Sequence, residues 1–206
     1  MAKKYLLVLA LAVGVATGAF AQSWWSIGGG MIFETGSLGS GWAGSSTSER
    51  EYASLRQTGF GAWAFVDATF AELSFSLIRG SHTIQHFGES SGAVTILNAT
   101  LLGKLPIFLG WGDIFPLLGV GYQITIAQEL DLGWEKFSFS IMFGVGSDFD
   151  FARNIFIRAS ILGSYRISGW EYQGRGMGAS GGTFSEEGNG SGGFGVTIKA
   201  AVGFRL

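Results

Sequence analysis

The sequence predicts an all-β protein: a closed eight-stranded antiparallel up-and-down transmembrane β-barrel, preceded by a cleaved signal peptide. Three observations predict it. The first is the final stretch, Phe194 to Leu206, where Phe194, Val196, Ile198, Ala200, Val202, Phe204 and Leu206 alternate with Gly195, Thr197, Lys199, Ala201, Gly203 and Arg205. A period of two describes a strand with one oily and one hydrophilic face, and this run exceeds the ~9–11 residues a tilted strand needs to cross a bilayer. The second is composition: 47% hydrophobic, 14% charged and a mean hydropathy of +0.34 are too oily for an ordinary soluble domain. No segment suits a spanning helix, since the best candidate, Leu105 to Tyr122, contains Pro106, Asp113, Pro116 and several glycines. The third is rhythm, with strand-like segments separated alternately by long polar loops and short turns.

The first residues read as an export signal. Lys3 and Lys4 form a positive start, Tyr5 to Val15 an apolar run, and Ala19-Phe20-Ala21 a small-x-small cleavage site. Residues 1–21 are therefore expected to be a signal peptide and residues 22–206 the barrel domain. An uncleaved anchor would need a longer apolar run. Losing Lys3 and Lys4 takes the formal charge from −2 to −4. With that mild acidity and no basic run, no nucleic-acid partner is expected. The absence of cysteine excludes a disulfide scaffold and thiolate chemistry.

In order, the first strand is Trp24 to Glu34, with Trp25, Ile27, Met31 and Phe33 against Ser26, Gly28 and Gly30. A Gly/Ser-rich loop, Thr35 to Ser54, leads to the second strand, Leu55 to Asp67, whose two faces both carry aromatics and glycine. After a tight turn at Asp67-Ala68-Thr69, the third strand, Phe70 to Arg79, sets Ala71, Leu73, Phe75 and Leu77 against Glu72, Ser74 and Ser76. Glu72 must point inward, because a carboxylate on the lipid face costs several kcal/mol. A loop from Gly80 to Ser91 precedes the fourth strand, Gly92 to Leu105, apolar on both faces and with Asn98, Thr100 and Lys104 on one side.

The turn Gly110-Trp111-Gly112-Asp113 is flanked by Phe108 and Phe115, and Phe108, Trp111 and Phe115 are the candidate interfacial aromatics. The fifth strand, Ile114 to Ala127, and the sixth, Lys136 to Asp148, flank an acidic loop, Gln128 to Glu135. The seventh, Ile155 to Ile167, follows a turn at Asp150 to Asn154. The longest loop, Ser168 to Gly193, precedes the closing strand.

An open sheet edge in lipid would leave backbone groups unpaired, so the last strand must pair with the first. A soluble lipocalin-type barrel would turn its oily face inward and carry a charged exterior; here the non-oily face is instead rich in Gly and Ser. The loops hold nine acidic residues against Arg50 and Arg175. Such a rim serves solubility and could favour cations.

Glu72, Arg158, Arg166, Lys199 and Arg205 are the candidate lumen charges. They are either gates in a conduit or a paired plug in which Glu72 answers Arg158 and Lys199 across the barrel. His82, His86 and Glu89 lie in a loop that fixes no ligand geometry, so no metal or other cofactor is expected. Ser81-His82 with a loop carboxylate such as Glu89 offers a nucleophile, base and orienter, but neighbours on an extended strand point to opposite faces, which ranks an enzyme third. Gly176 to Gly181 has dinucleotide-binding spacing without a strand before it or a helix after it. The glycosylation patterns at Asn98 and Asn189 are read as chance.

The segments Lys104-Leu105-Pro106-Ile107 and Phe115-Pro116-Leu117-Leu118-Gly119-Val120-Gly121-Tyr122, with the ending Val202-Gly203-Phe204-Arg205-Leu206, resemble small outer-membrane barrels. The resemblance is to spirochaete proteins related to OmpW and OmpX, over residues 22–206. It implies an integral protein of the cell outer membrane with outer-membrane lipid around it. Barrel-assembly machinery and periplasmic chaperones would be partners in biogenesis, and an extracellular ligand or host surface a partner for the loops. Val202, Phe204 and Leu206 would form the assembly signal, although a terminal aromatic is usual where Leu206 stands. No catalysis is implied. The expected function is a non-enzymatic barrel with surface-exposed loops. The alternative is a narrow conduit for small or hydrophobic solutes, and the third reading is a lipid-modifying enzyme.

Overall fold

A computed structural model describes residues 25–44, 51–85, 89–129, 137–177 and 183–206. The expected signal peptide and its cleavage site lie outside the described residues. The strands are β1 (Trp25–Gly44), β2 (Glu51–Ala68), β3 (Ala71–Gln85), β4 (Glu89–Lys104), β5 (Ile107–Leu109), β6 (Gly112–Gln128), β7 (Phe137–Ala152), β8 (Ile155–Met177) and β9 (Thr183–Arg205). Both β4 and the short β5 pair with β6, so they are one wall position broken at Leu105-Pro106. Proline has no N–H to give the ladder, which is why the break falls there.

Counting β4 and β5 as one wall position, each position is antiparallel to the next in sequence, and β9 returns to pair with β1, from Ser26↔Arg205 through Phe33↔Ile198. The wall is thus a closed, eight-position, up-and-down barrel. Closure leaves no edge along the belt, and Leu206 N–H donates to the Trp25 carbonyl at 2.8 Å to tie the seam at the short-turn mouth.

Alternation decides what faces where. Phe75, Leu101, Leu118, Phe143 and Ile198 project outward and are exposed, whereas Glu72, Arg158 and Lys199 on the other parity are buried inside. A water-soluble barrel has the reverse polarity. A continuous outer apolar band with a polar interior is the pattern of a membrane-spanning barrel. Val202, Phe204 and Leu206 belong to this outer face.

The two ambiguous strands are settled by pairing. In β2, Leu55, Gln57, Trp63, Phe65 and Asp67 face inward, while Phe60 and Val66 face outward. In β4, Val94, Ile96, Asn98, Thr100, Leu102 and Lys104 face inward.

Two expectations need correction. Phe115 is not an interfacial aromatic: it is 1% exposed, inside the barrel, whereas Phe108 and Trp111 are exposed at the short-turn mouth. Phe115 shares parity with inward Leu117 and Gly121, and that local phase overrides its closeness to the turn. The long loops are also shorter than expected. β8 and β9 stay paired out to Met177↔Thr183, and β1 and β2 out to Ala43↔Glu51. Beyond the apolar belt a ladder still satisfies the backbone, and the side chains need no oily face, so Gly/Ser-rich strands read as loops.

Gly112 closes the Gly110-Trp111 turn with φ +155°, and a Cβ there would lie 2.0 Å from the Asp148 carbonyl oxygen. That position admits glycine alone.

Candidate functional site

The inward faces meet in layers, beginning at the short-turn mouth. Arg205, expected as a lumen charge, sits at this rim, 2.5 Å from Asp150 and 3.6 Å from Asp113.

One layer deeper, Arg158 of β8 is the hub. Its Nε donates to Asp148 Oδ1 at 2.7 Å and its Nη2 to Asp148 Oδ2 at 2.6 Å, a bidentate pairing with the residue directly across on β7. Nη2 also donates to Asp67 Oδ2 at 2.5 Å, and Nη1 to Glu72 Oε2 at 2.8 Å. Asp67 and Glu72 are a cross-strand pair on β2 and β3. Two like charges held opposite each other would repel, and Arg158, with Lys104 Nζ at 2.5 Å from Asp67, removes that repulsion.

The rings of Phe65, Phe115 and Phe156 pack around the Arg158 guanidinium, at 4.4, 5.3 and 5.2 Å from its central carbon. Each ring lies over an inward glycine. A Cβ at Gly28 would meet Phe65 at 2.4 Å, one at Gly146 would meet Phe115 at 2.3 Å, and one at Gly203 would meet Phe156 at 2.2 Å. Glycine here makes room for aromatic plates that fill the bore.

Above them Lys199 of β9 donates to Ser74 Oγ at 3.3 Å, lies 3.9 Å from Glu72 and sits over the Trp63 ring at 4.6 Å. The third layer is amide-rich. Arg166 pairs with Glu34 and donates to Gln57 Oε1 at 3.1 Å; Gln57 Nε2 donates to Glu34 at 2.8 Å and Asn98 Nδ2 to Glu34 at 3.2 Å. Gln123 Nε2 reaches Gln57 at 3.1 Å.

His82 is part of this layer, correcting its expected place in a loop. It is buried on β3, with Nε2 3.3 Å from Gln57 Oε1, while Ser81 takes the opposite parity. The side chains of His86 and Glu89 lie outside the described residues. Among the described residues no cluster of His, Cys, Asp and Glu is arranged to hold a metal.

The interior balances itself. Lys104, Arg158 and Lys199 meet Asp67, Glu72 and Asp148, and Arg166 meets Glu34. A cavity of about 20 Å³ lined by Glu34, Asn98, Thr100, Ser164 and Arg166 has the size of one water molecule. Paired and filled, this interior forms a plug, in which Asp67 Oδ1 and Asn98 Oδ1 are buried without a hydrogen-bond partner among the described residues.

Glu72, Arg158, Arg166 and Lys199 are brought together in this plug and Arg205 is not. Sequence reading missed Glu34, Gln57, Asp67, His82, Lys104 and Asp148. The signal was present, since each shares parity with an inward residue of its own strand, as Asp148 does with Gly144 and Gly146. They were passed over because they lie near strand ends, where turn or loop chemistry competes with the alternation.

No protein-family model matches this chain, and no curated protein matches it in sequence. Among solved structures, it is similar to Ail, the attachment invasion locus protein of Yersinia pestis: 14% identity, TM-score 0.40, covering 90% of this chain and 99% of that one. It is also similar to the translocator domain of the autotransporter NalP from Neisseria meningitidis: 14% identity, TM-score 0.32, covering 97% of each chain.

Proposed function

We propose that this protein is an integral, non-enzymatic outer-membrane barrel that works through the surface it presents beyond the membrane and not through its bore. The observation that carries the reading is the Arg158 layer, where one guanidinium, three carboxylates and three aromatic rings occupy the lumen together. The cavity beside Arg166, water-sized, is too small to hold a solute.

The long hairpins support the other half of the proposal. β8 and β9 continue through Met177↔Thr183, while the described β7–β8 pairing stops at Ser140↔Arg166. The hairpin thus runs roughly 35 Å of strand past that point. That surface faces an extracellular ligand or a host surface, with outer-membrane lipid around the belt and assembly factors acting during biogenesis. Kinship with spirochaete OmpW- and OmpX-related barrels is part of the same proposal and rests on the segments Lys104–Ile107, Phe115–Tyr122 and Val202–Leu206; the strand number, the closure and the polarity of the wall support a small outer-membrane barrel.

The test is single-channel conductance of the refolded protein in planar bilayers, with heat-modifiable migration reporting the folded barrel. Folded protein without discrete openings is the expected result. Discrete openings that change on Glu72→Gln would overturn the plug and favour a conduit.

A further inference from the structure

The outer surface near the long hairpins is divided into two unlike halves. On β7–β9 it is oily and aromatic: Phe137, Tyr165, Ile167 and Phe194 are exposed, and the Tyr165 and Phe194 rings lie 5.0 Å apart. This is the amphipathic band expected at a lipid–water interface. On β2–β4 the corresponding outward positions are Arg56, Thr58, Arg79, Ser81, Thr83 and Thr95. Register places Arg56 opposite Thr83, Thr58 opposite Ser81 and Phe60 opposite Arg79. Both arginines are exposed, and neither forms an ion pair among the described residues.

Two guanidinium groups on the lipid-facing side of a barrel, without an ion pair among the described residues, are costly unless an anion meets them. At the end of the belt their long side chains reach the headgroup level. A guanidinium presents a planar fork of donors that matches phosphate oxygens. Arg56 and Arg79 are offset by four positions on adjacent strands, roughly 13 Å, and Ser81 lies between them beside Thr58, whose hydroxyl is hydrogen-bonded to that of Thr35 at 3.1 Å.

We propose that the outer face of β2 and β3 binds the phosphate-bearing headgroup of an anionic lipid, in the leaflet on the long-hairpin side. Arg56 and Arg79 supply the charge, and the Ser81 hydroxyl between them supplies a further hydrogen bond. The site rests on the membrane reading above and gives it a headgroup preference. It also gives the barrel a fixed lipid neighbour on one side, opposite the aromatic half.

The test uses the protein refolded into phosphatidylcholine nanodiscs doped with phosphatidic acid, with bound lipid read by native mass spectrometry. The expected result is retention of phosphatidic acid over phosphatidylcholine, reduced about five-fold or more by Arg56→Gln with Arg79→Gln. Arg153→Gln at the opposite mouth should leave it unchanged, and heat-modifiable migration should show every variant folded. Equal retention by the wild type and the double variant would overturn the lipid site while leaving the barrel reading intact. Displacement of the lipid by excess inorganic phosphate would also overturn it, in favour of a site for soluble anions. Failure of the wild type to enter any bilayer would instead remove the membrane reading on which the site rests.

Discussion

Arg158 and Glu72 stand on opposite walls of the barrel, four positions apart in either direction around the ring, and their side chains meet at 2.8 Å. The contact spans the bore, so the lumen has no open axis at that layer. Arg158 also pairs with Asp67 and Asp148, each 5% exposed or less at its side chain. A buried charge network of this kind is costly to break from one side, because the remaining charges lose their partner without regaining water.

Arg158→Gln therefore leaves three carboxylates around a neutral amide. Loss of about 3–5 kcal/mol of stability is expected, read as a lower urea midpoint for the barrel in vesicles. A change below about 1 kcal/mol, the scale of exposed ion pairs, would show that this layer is solvated and not a plug.

The rim pair should behave differently. Arg205 and Asp150 are 2.5 Å apart, yet the Asp150 side chain is 41% exposed. Asp150→Asn is expected to cost at most about 1 kcal/mol, and that cost should vanish in high salt, which screens exposed charges. Asp148→Asn, inside, should keep its larger cost at every salt concentration. Unfolding midpoints of the two variants across a salt series make the comparison.

Gly146 and Phe115 form a steric pair, since a Cβ on Gly146 would fall 2.3 Å from the Phe115 ring. Gly146→Val is expected to destabilise by about 1–3 kcal/mol through overpacking. In the background Phe115→Ala the added penalty should shrink, because the ring has gone. A double-mutant cycle by thermal unfolding reads the coupling, and additive effects would show that the two positions do not share space.

Polarity of the outer face sets a gradient. Phe75, on the outer face of β3, is 53% exposed on the apolar belt. Phe75→Arg is expected to cost about 2–4 kcal/mol and Thr83→Arg, near the hairpin end, about 0–1 kcal/mol. Folding titrations into vesicles measure both. Equal costs at the two positions would mean that no hydrocarbon layer surrounds this belt.

The wall was legible from sequence because side-chain direction in a strand is a local property. Val196, Ile198 and Val202 declare one face and Thr197, Lys199 and Gly203 the other, whatever the strand pairs with. The same rule, with the position of turns, yields the strand number, the polarity and the closure of β9 on β1. It failed for Phe115, where an aromatic beside a turn was read by its neighbourhood and not by its parity. It also failed beyond the belt, at Gly80 to Gln85 and Gly169 to Met177. Strands in water need no oily face, so nothing in the pattern marks them.

Only the tertiary structure decided which inward groups meet. Arg158 and Asp67 are 91 residues apart and Arg166 and Glu34 are 132 apart. Their meeting depends on strand registers and on the curvature that brings opposite walls within reach of a side chain. Alternation fixes that a charge points inward, but it carries no information about its height or its partner. Those are set by hydrogen-bond register summed around the closed ring, a property of the barrel as a whole.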